Sequence, residues 1–136
     1  VELAGGDDPR GAVGRHQFGV RYDGEDLTRV AERSGLSQDE VVSIHSGAVY
    51  TVAAVGFLPH FGYLWGLDSR LATARLAVPR ARVPVGAVGI GGGQTGVYPR
   101  SSPGGWNLIG HVDARAVAEV CPSLRVGDEV AFVAEG

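Results

Sequence analysis

Residues Val83–Gly110 read VPVGAVGIGGGQTGVYPRSSPGGWNLIG, and this stretch decides the fold. Short runs of β-branched and apolar residues alternate there with glycine and proline, so the backbone is bent repeatedly between short strands. Glycine accepts positive φ and close approach of other atoms, while proline fixes φ, and together they build rigid turns. The residues predict strands near Arg82–Pro84, Ala87–Ile90, Thr95–Tyr98 and Trp106–Val112. Gln94, Thr95, Tyr98, Arg100, Ser101, Ser102 and Asn107 place donors and acceptors on that frame. Two readings fit the segment: a set of barrel turns, or loops that carry a ligand or partner site. A dinucleotide fingerprint is not one of them, because Pro99 and Pro103 prevent the phosphate-binding helix that should follow GIGGGQTG.

Outward from this segment, the same β character continues. Phe18, Val20 and Tyr22 alternate in HQFGVRYDG, which predicts a half-buried strand ending in an Asp-Gly turn. Val49–Phe57 predicts a longer strand, followed by an aromatic loop, LPHFGYLWGLD, that reads as core packing or as a shaped ligand wall. Arg70–Arg80 ends in Val78-Pro79 and so holds no long helix. Two helices precede the first long strand. In EDLTRVAERSG, Leu27, Val30 and Ala31 share a face and Gly35 stops the helix. Ser37 and Glu40 form a capping box, with Leu36 and Val41 as a hydrophobic staple, and that helix stops near Gly47. DARAVAEV (113–120) predicts two more helical turns capped by Asp113. In the closing strand Val130, Phe132 and Ala134 are expected to alternate inward. The fold class is mainly β, a closed barrel with two short helices near its start. Residues 1–15 read as a linker or the remnant of an N-terminal domain, and 16–136 as the barrel domain. The chain starts at Val1 and contains no methionine, so it is expected to be part of a longer protein.

Composition narrows the chemistry. The 136 residues carry a formal net charge of −3, and all twelve basic side chains are arginine. Without lysine the chain supplies no Schiff base, Walker A lysine or Ser-Lys dyad. The net acidity argues against non-specific nucleic-acid binding. No apolar run of membrane-spanning length and no signal segment occurs, so a soluble, cytoplasmic protein is expected. Cys121 is the only cysteine and reads as an inert, partly buried thiol. His16, His45, His60 and His111 have no metal-ligand spacing, so no metal is expected. No G-x-S-x-G elbow or Ser-His-Asp order is present, and no residue is assigned as catalytic. His45 ends the second helix, where the dipole favours its charged form or the ring simply caps carbonyls. Arg80 and Arg82 read either as a clamp for a carboxylate or phosphate or as a solvated barrel edge.

Three segments carry a family resemblance: GLSQDEVVSIHSGAVYTV (35–52), GFLPHFGYLWGLD (56–68) and PRARVPVGAVGIGGGQTGVYPRSSPGGWNLIGH (79–111). In this order they resemble the family of allophanate hydrolase subunit 1 and the bacterial 5-oxoprolinase B subunit, which also includes a sporulation kinase inhibitor. The resemblance implies a cyclophilin-like barrel. It also implies one component of a heteromeric ATP-dependent hydrolase that opens 5-oxoproline or hydrolyses a related amide such as allophanate. A partner of the subunit 2 type, or equivalently of the C-subunit type, completes that enzyme, and ATP is shared with it. The binding and orienting residues expected for substrate or nucleotide are His45, Tyr50, Arg80, Arg82, Gln94, Thr95, Tyr98, Ser102 and Trp106, with phosphate contacts from Arg80, Arg82 and the Gly91–Thr95 loop. The alternative is a regulatory module that inhibits a sensor histidine kinase. Prolyl isomerisation rests on fold analogy alone. Two positions depart from the family pattern: His60 stands where GFxPGFxYL has its second glycine, and His111 where arginine often follows LIG.

Overall fold

The structure, a computed structural model, describes residues 13–135. Most of the segment read as a linker therefore lies outside the described residues. The chain forms β1 (Arg15–Arg21), α1 (Leu27–Ser34), α2 (Gln38–Ser46), β2 (Val49–Val55), β3 (Gly62–Trp65) and β4 (Arg80–Val83). There follow β5 (Ala87–Gly91), β6 (Gln94–Val97), β7 (Ser102–Gly104), β8 (Asn107–Val112), α3 (Ala114–Val120) and β9 (Glu129–Ala134). Seven strands close into a barrel in the order β9-β1-β8-β5-β6-β3-β2, because β9 pairs in parallel with β1 and antiparallel with β2. The other two, β4 and β7, form a separate two-stranded ribbon.

The local signals explain the helices. Leu27, Val30 and Ala31 are the buried face of α1, and Gly35, at φ 74°, ends it in the left-handed conformation that glycine adopts without strain. At the start of α2 the Glu40 N–H donates to Ser37 Oγ (3.1 Å) and the Ser37 N–H donates to Glu40 Oε1 (2.9 Å). The capping box satisfies two backbone donors that the helix itself leaves without partners.

Two apolar clusters lie on opposite sides of the sheet wall. The interior holds Phe18, Val20, Tyr50, Val52, Leu64, Val88, Ile90, Ile109, Val130 and Phe132, with residues of α1 and α2 packed against them. The second cluster is Phe61, Val83, Ala87, Tyr98, Trp106 and Leu108. In β5, Val88 and Ile90 join the first cluster and Ala87 the second, as the two-residue period of a strand requires. All five β5 residues are buried, since both faces of the strand are covered.

The glycine run has a packing reason. A Cβ on Gly91 would collide with the Trp106 indole, and one on Gly89 would stand 3.1 Å from Trp106 Cβ. These positions form a floor on which a large ring can lie directly over backbone.

Several expectations need correction. Phe57 has φ 63°, so the second strand ends at Val55 rather than at Phe57. The aromatic loop contains β3, whose Leu64 pairs with Thr95 and with Val52. Tertiary pairing there overrides the flanking glycines that made the segment read as loop. Ser102–Gly104 is a strand of the ribbon, not a free loop. Ala134 is exposed, and Asp113 makes no side-chain cap bond.

Candidate functional site

Beside Trp106 lies a cleft of about 290 Å³, lined by Phe57, Phe61, Tyr63, Arg75, Pro79, Tyr98, Pro103, Gly104, Gly105 and Trp106 itself. The β2–β3 connection and β3 give one wall, the β4–β7 ribbon and its approach give the other, and Tyr98 and Trp106 come from the glycine-rich stretch. Phe61, only 1% exposed, is the centre of the aromatic set. Tyr98 and Trp106 each meet it edge to face, at centroid distances of 5.2 and 5.3 Å and interplanar angles of 87° and 85°. Tyr63 meets Trp106 at 5.9 Å and 73°, and Phe57 meets Phe61 at 5.8 Å and 80°. Perpendicular ring packing fixes each ring against the next, so the walls are preorganised. Burial raises the pKa of the Tyr98 hydroxyl, against the lowering influence of the Trp106 backbone and the charges of Arg75 and Arg80. Tyr98 therefore stays a neutral phenol at physiological pH.

The ribbon wall is pinned by an ion pair. Arg80 Nη1 donates to Asp26 Oδ2 (2.8 Å) and Nη2 to Asp26 Oδ1 (3.0 Å), while the Leu108 N–H donates to Asp26 Oδ2 (2.8 Å). Burial alone would raise the Asp26 pKa. The Arg80 hydrogen bonds, the Leu108 N–H and the charges of Arg80 and Arg29 outweigh it and leave the carboxyl below its ordinary value. Asp26 stands at the N-cap of α1 yet does not cap it, since its carboxylate turns to Arg80 instead.

A different polar network sits in the interior. Thr95 Oγ1 donates its single proton to the Gly89 carbonyl (2.8 Å), so it can only accept from His45 Nε2, 2.9 Å away. His45 therefore carries its proton on Nε2, and bare Nδ1 accepts from the Tyr22 hydroxyl at 2.7 Å. The Tyr50 hydroxyl donates to the His45 carbonyl (2.7 Å). His45 is 0% exposed and stacks on Phe132 of β9 at 4.7 Å, so it spans the interior from β9 to β6. Burial pushes its pKa down to about 3, and the favourable helix-end dipole expected from sequence does not prevail. The tyrosine hydroxyls of this network are shifted upward, also chiefly by burial.

The nine residues expected from sequence thus separate. Tyr98 and Trp106 line the cleft, and Arg80 braces it from behind. Ser102 lies in the ribbon beside the lining, with its hydroxyl donating to the Pro103 carbonyl at 3.1 Å. His45, Tyr50 and Thr95 belong to the interior network and do not reach the cleft. Gln94 begins β6 outside the lining, and Arg82 is exposed on β4, also outside it. Sequence reasoning missed Arg75 as a site residue. Its neighbours LATARLA give no periodic or motif signal, and only the approach of residues 73–76 to β5 and β7 brings it to the cleft.

The residues expected to contact phosphate take different positions, Arg82 being exposed on β4. Arg80 is engaged by Asp26 and, at 3.5 Å, by Glu25. The Gly91–Gln94 segment is a tight hairpin turn between β5 and β6, and Thr95 points inward to Gly89. Among the described residues no group of three or more His, Cys, Asp or Glu side chains could hold a metal ion. No helix among them is long and apolar enough to cross a membrane.

A closed seven-stranded barrel with an aromatic cleft on its outer wall defines the class. The carboxyltransferase domain family, subdomains C and D, matches residues 6–119, and the chain belongs to that family. It is similar to the 5-oxoprolinase B subunit of Haemophilus influenzae, 45% identical over 130 residues that cover 90% of this chain and 61% of that protein. It is 50% identical over 113 residues to the 5-oxoprolinase B subunit of Escherichia coli O157:H7, covering 81% of this chain and 52% of that one. Among solved structures, TTHA0988 superimposes with a TM-score of 0.82 at 43% identity, over 90% of this chain and 26% of its own. The chain thus spans between half and two thirds of the curated relatives it matches.

Proposed function

We propose that this chain is the barrel region of a 5-oxoprolinase-type subunit, which acts with partner subunits to open the lactam of 5-oxoproline, or a related amide, in an ATP-dependent reaction. The observation that carries the reading is the preorganised aromatic cleft of Phe61, Tyr63, Tyr98 and Trp106, in a chain 45–50% identical to proteins named as the B subunit of 5-oxoprolinase. A small flat ring or amide suits such walls, which strip water from it and orient it. In this reading the neutral Tyr98 phenol donates a hydrogen bond to a carbonyl oxygen held in the cleft. No nucleophile and no phosphate cradle come with these side chains, so ATP and the remaining reactive groups are assigned to a partner of the subunit 2 or C-subunit type. The candidate set from this chain is Tyr98, Trp106, Phe61 and Tyr63, with Arg80 and Ser102 holding the ribbon wall.

The experiment is reconstitution of the full-length protein with the products of neighbouring genes, followed by assay of ATP-dependent 5-oxoproline turnover. Tyr98→Phe and Trp106→Phe, which keep most of the packing, are expected to lower kcat/KM at least about tenfold. An assembled complex whose turnover is indifferent to both changes defeats the cleft as the site. If no partner yields turnover while autophosphorylation of a sensor histidine kinase is inhibited, the regulatory alternative replaces the enzymatic one.

A further inference from the structure

We infer that Arg75 is the carboxylate-recognition residue of the aromatic cleft, and that the cleft takes a small flat ring or amide bearing one carboxylate. Arg75 is the only arginine in the lining. It is exposed there and, unlike Arg80, has no carboxylate partner among the described residues. An arginine at the edge of apolar rings without an internal counter-ion offers its planar fork to a carboxylate, while the rings receive the apolar part of the same ligand.

The backbone that carries Arg75 is held on both sides. The Asn107 amide, 0% exposed, donates to the Ala74 carbonyl at 3.0 Å and to the Ile90 carbonyl at 3.0 Å. Arg29 Nε donates to Asn107 Oδ1 at 2.9 Å, which fixes the amide's orientation. On the other side the Leu76 N–H donates to the Gly105 carbonyl at 2.7 Å, and Thr73 bridges to Gly92. Arg75 thus projects from a segment tied to β5 on one flank and to the ribbon turn on the other. A fixed base for a single charged side chain is what a specificity contact needs. The volume of about 290 Å³ limits the ligand to a small molecule.

This inference rests on the functional reading above and deepens it. The test uses the full-length protein, alone and assembled with its partner subunits, with ligand-observed NMR titration of 5-oxoproline, cyclopentanecarboxylate and uncharged 2-pyrrolidinone. Both carboxylates are expected to bind, and 2-pyrrolidinone at least about tenfold more weakly. Arg75→Gln should weaken both carboxylates about tenfold or more and leave 2-pyrrolidinone unchanged, Arg75→Lys should restore part of the loss, and Arg115→Gln on α3 should bind as the parent does. Equal binding by charged and uncharged rings, equal binding by Arg75→Gln and the parent, or no carboxylate binding at millimolar concentration each overturn the inference. The two ideas fail separately. Carboxylates held through Arg75 by a complex that does not turn over 5-oxoproline would uphold the site and remove the functional reading. Turnover with an unchanged KM in Arg75→Gln would keep the reading and remove Arg75.

Discussion

Arg80 grips Asp26 with both ends of its guanidinium, at 2.8 and 3.0 Å, across 54 residues of chain. The pair ties the ribbon wall of the cleft to the start of α1, and the Leu108 N–H completes the carboxylate's hydrogen bonding. Because the Asp26 side chain is 11% exposed, removing its partner leaves a desolvated charge.

Arg80→Ala is therefore expected to destabilise the fold by about 2–4 kcal/mol, and Arg80→Lys by less, in urea titrations. The lowered Asp26 pKa means that its stabilising contribution is present above the ordinary carboxylate range of about 4 and is lost as pH falls through the folded value below it. Asp26→Asn should abolish that part of the acid-unfolding curve. An identical acid limb in the variant would show that the pair does not hold the ribbon.

The interior network predicts a second acid response with a different origin. His45 is neutral in the fold with a pKa of about 3, whereas in the unfolded chain it titrates near 6.5. The unfolded state therefore takes up a proton first, and stability falls as pH drops from about 6.5 towards 3. In His45→Gln this slope should disappear, with a loss of about 1–3 kcal/mol at neutral pH from the disturbed bonds to Tyr22 and Thr95. Nitrogen-detected NMR should find the proton on Nε2 at pH 7, and a proton on Nδ1 would contradict the bond directions derived above.

His60 lies at φ 69°, a conformation that favours glycine. The left-handed region costs a side-chain-bearing residue about 1–2 kcal/mol, part of which glycine gives back as unfolded-state entropy. His60→Gly is expected to raise stability by about 0.5–1 kcal/mol, read as a higher Tm. A fall in Tm would show that the imidazole makes a compensating contribution.

Gly91 supports Trp106 at a distance that leaves no room for a methyl group. Gly91→Ala should lower stability by about 1–3 kcal/mol and shift the tryptophan emission as the indole is displaced. An unshifted spectrum with unchanged stability would mean that the glycine floor is not needed.

Much of the fold was legible because its signals are local. The capping box at Ser37 and Glu40, the stop at Gly35 and the alternation of Phe18 and Val20 each involve residues within a few positions of one another. β3 and β7 were not legible in the same way. Gly62–Trp65 is bracketed by glycines and Ser102–Gly104 consists of residues that punctuate loops, and both are strands because distant partners, Thr95 for one and Arg80 with Val83 for the other, complete their pairing. The site divided along the same line. Tyr98 and Trp106 stood out within the glycine-rich stretch, whereas Thr95, their close neighbour in sequence, points into the barrel to meet His45.

By itself the sequence determined a lysine-free, mainly β barrel chain with two well-capped helices and a glycine-rich segment built for close backbone packing, together with its family resemblance. Only the tertiary structure decided which polar residues face the interior and which the cleft, that Arg80 is consumed by Asp26, and that Arg75 is left at the edge of the aromatic walls. The reason is physical: capping and periodicity act over one or two turns of chain, whereas side-chain pairing and desolvation depend on contacts between segments far apart in sequence, such as Asp26 with Arg80 and His45 with Thr95.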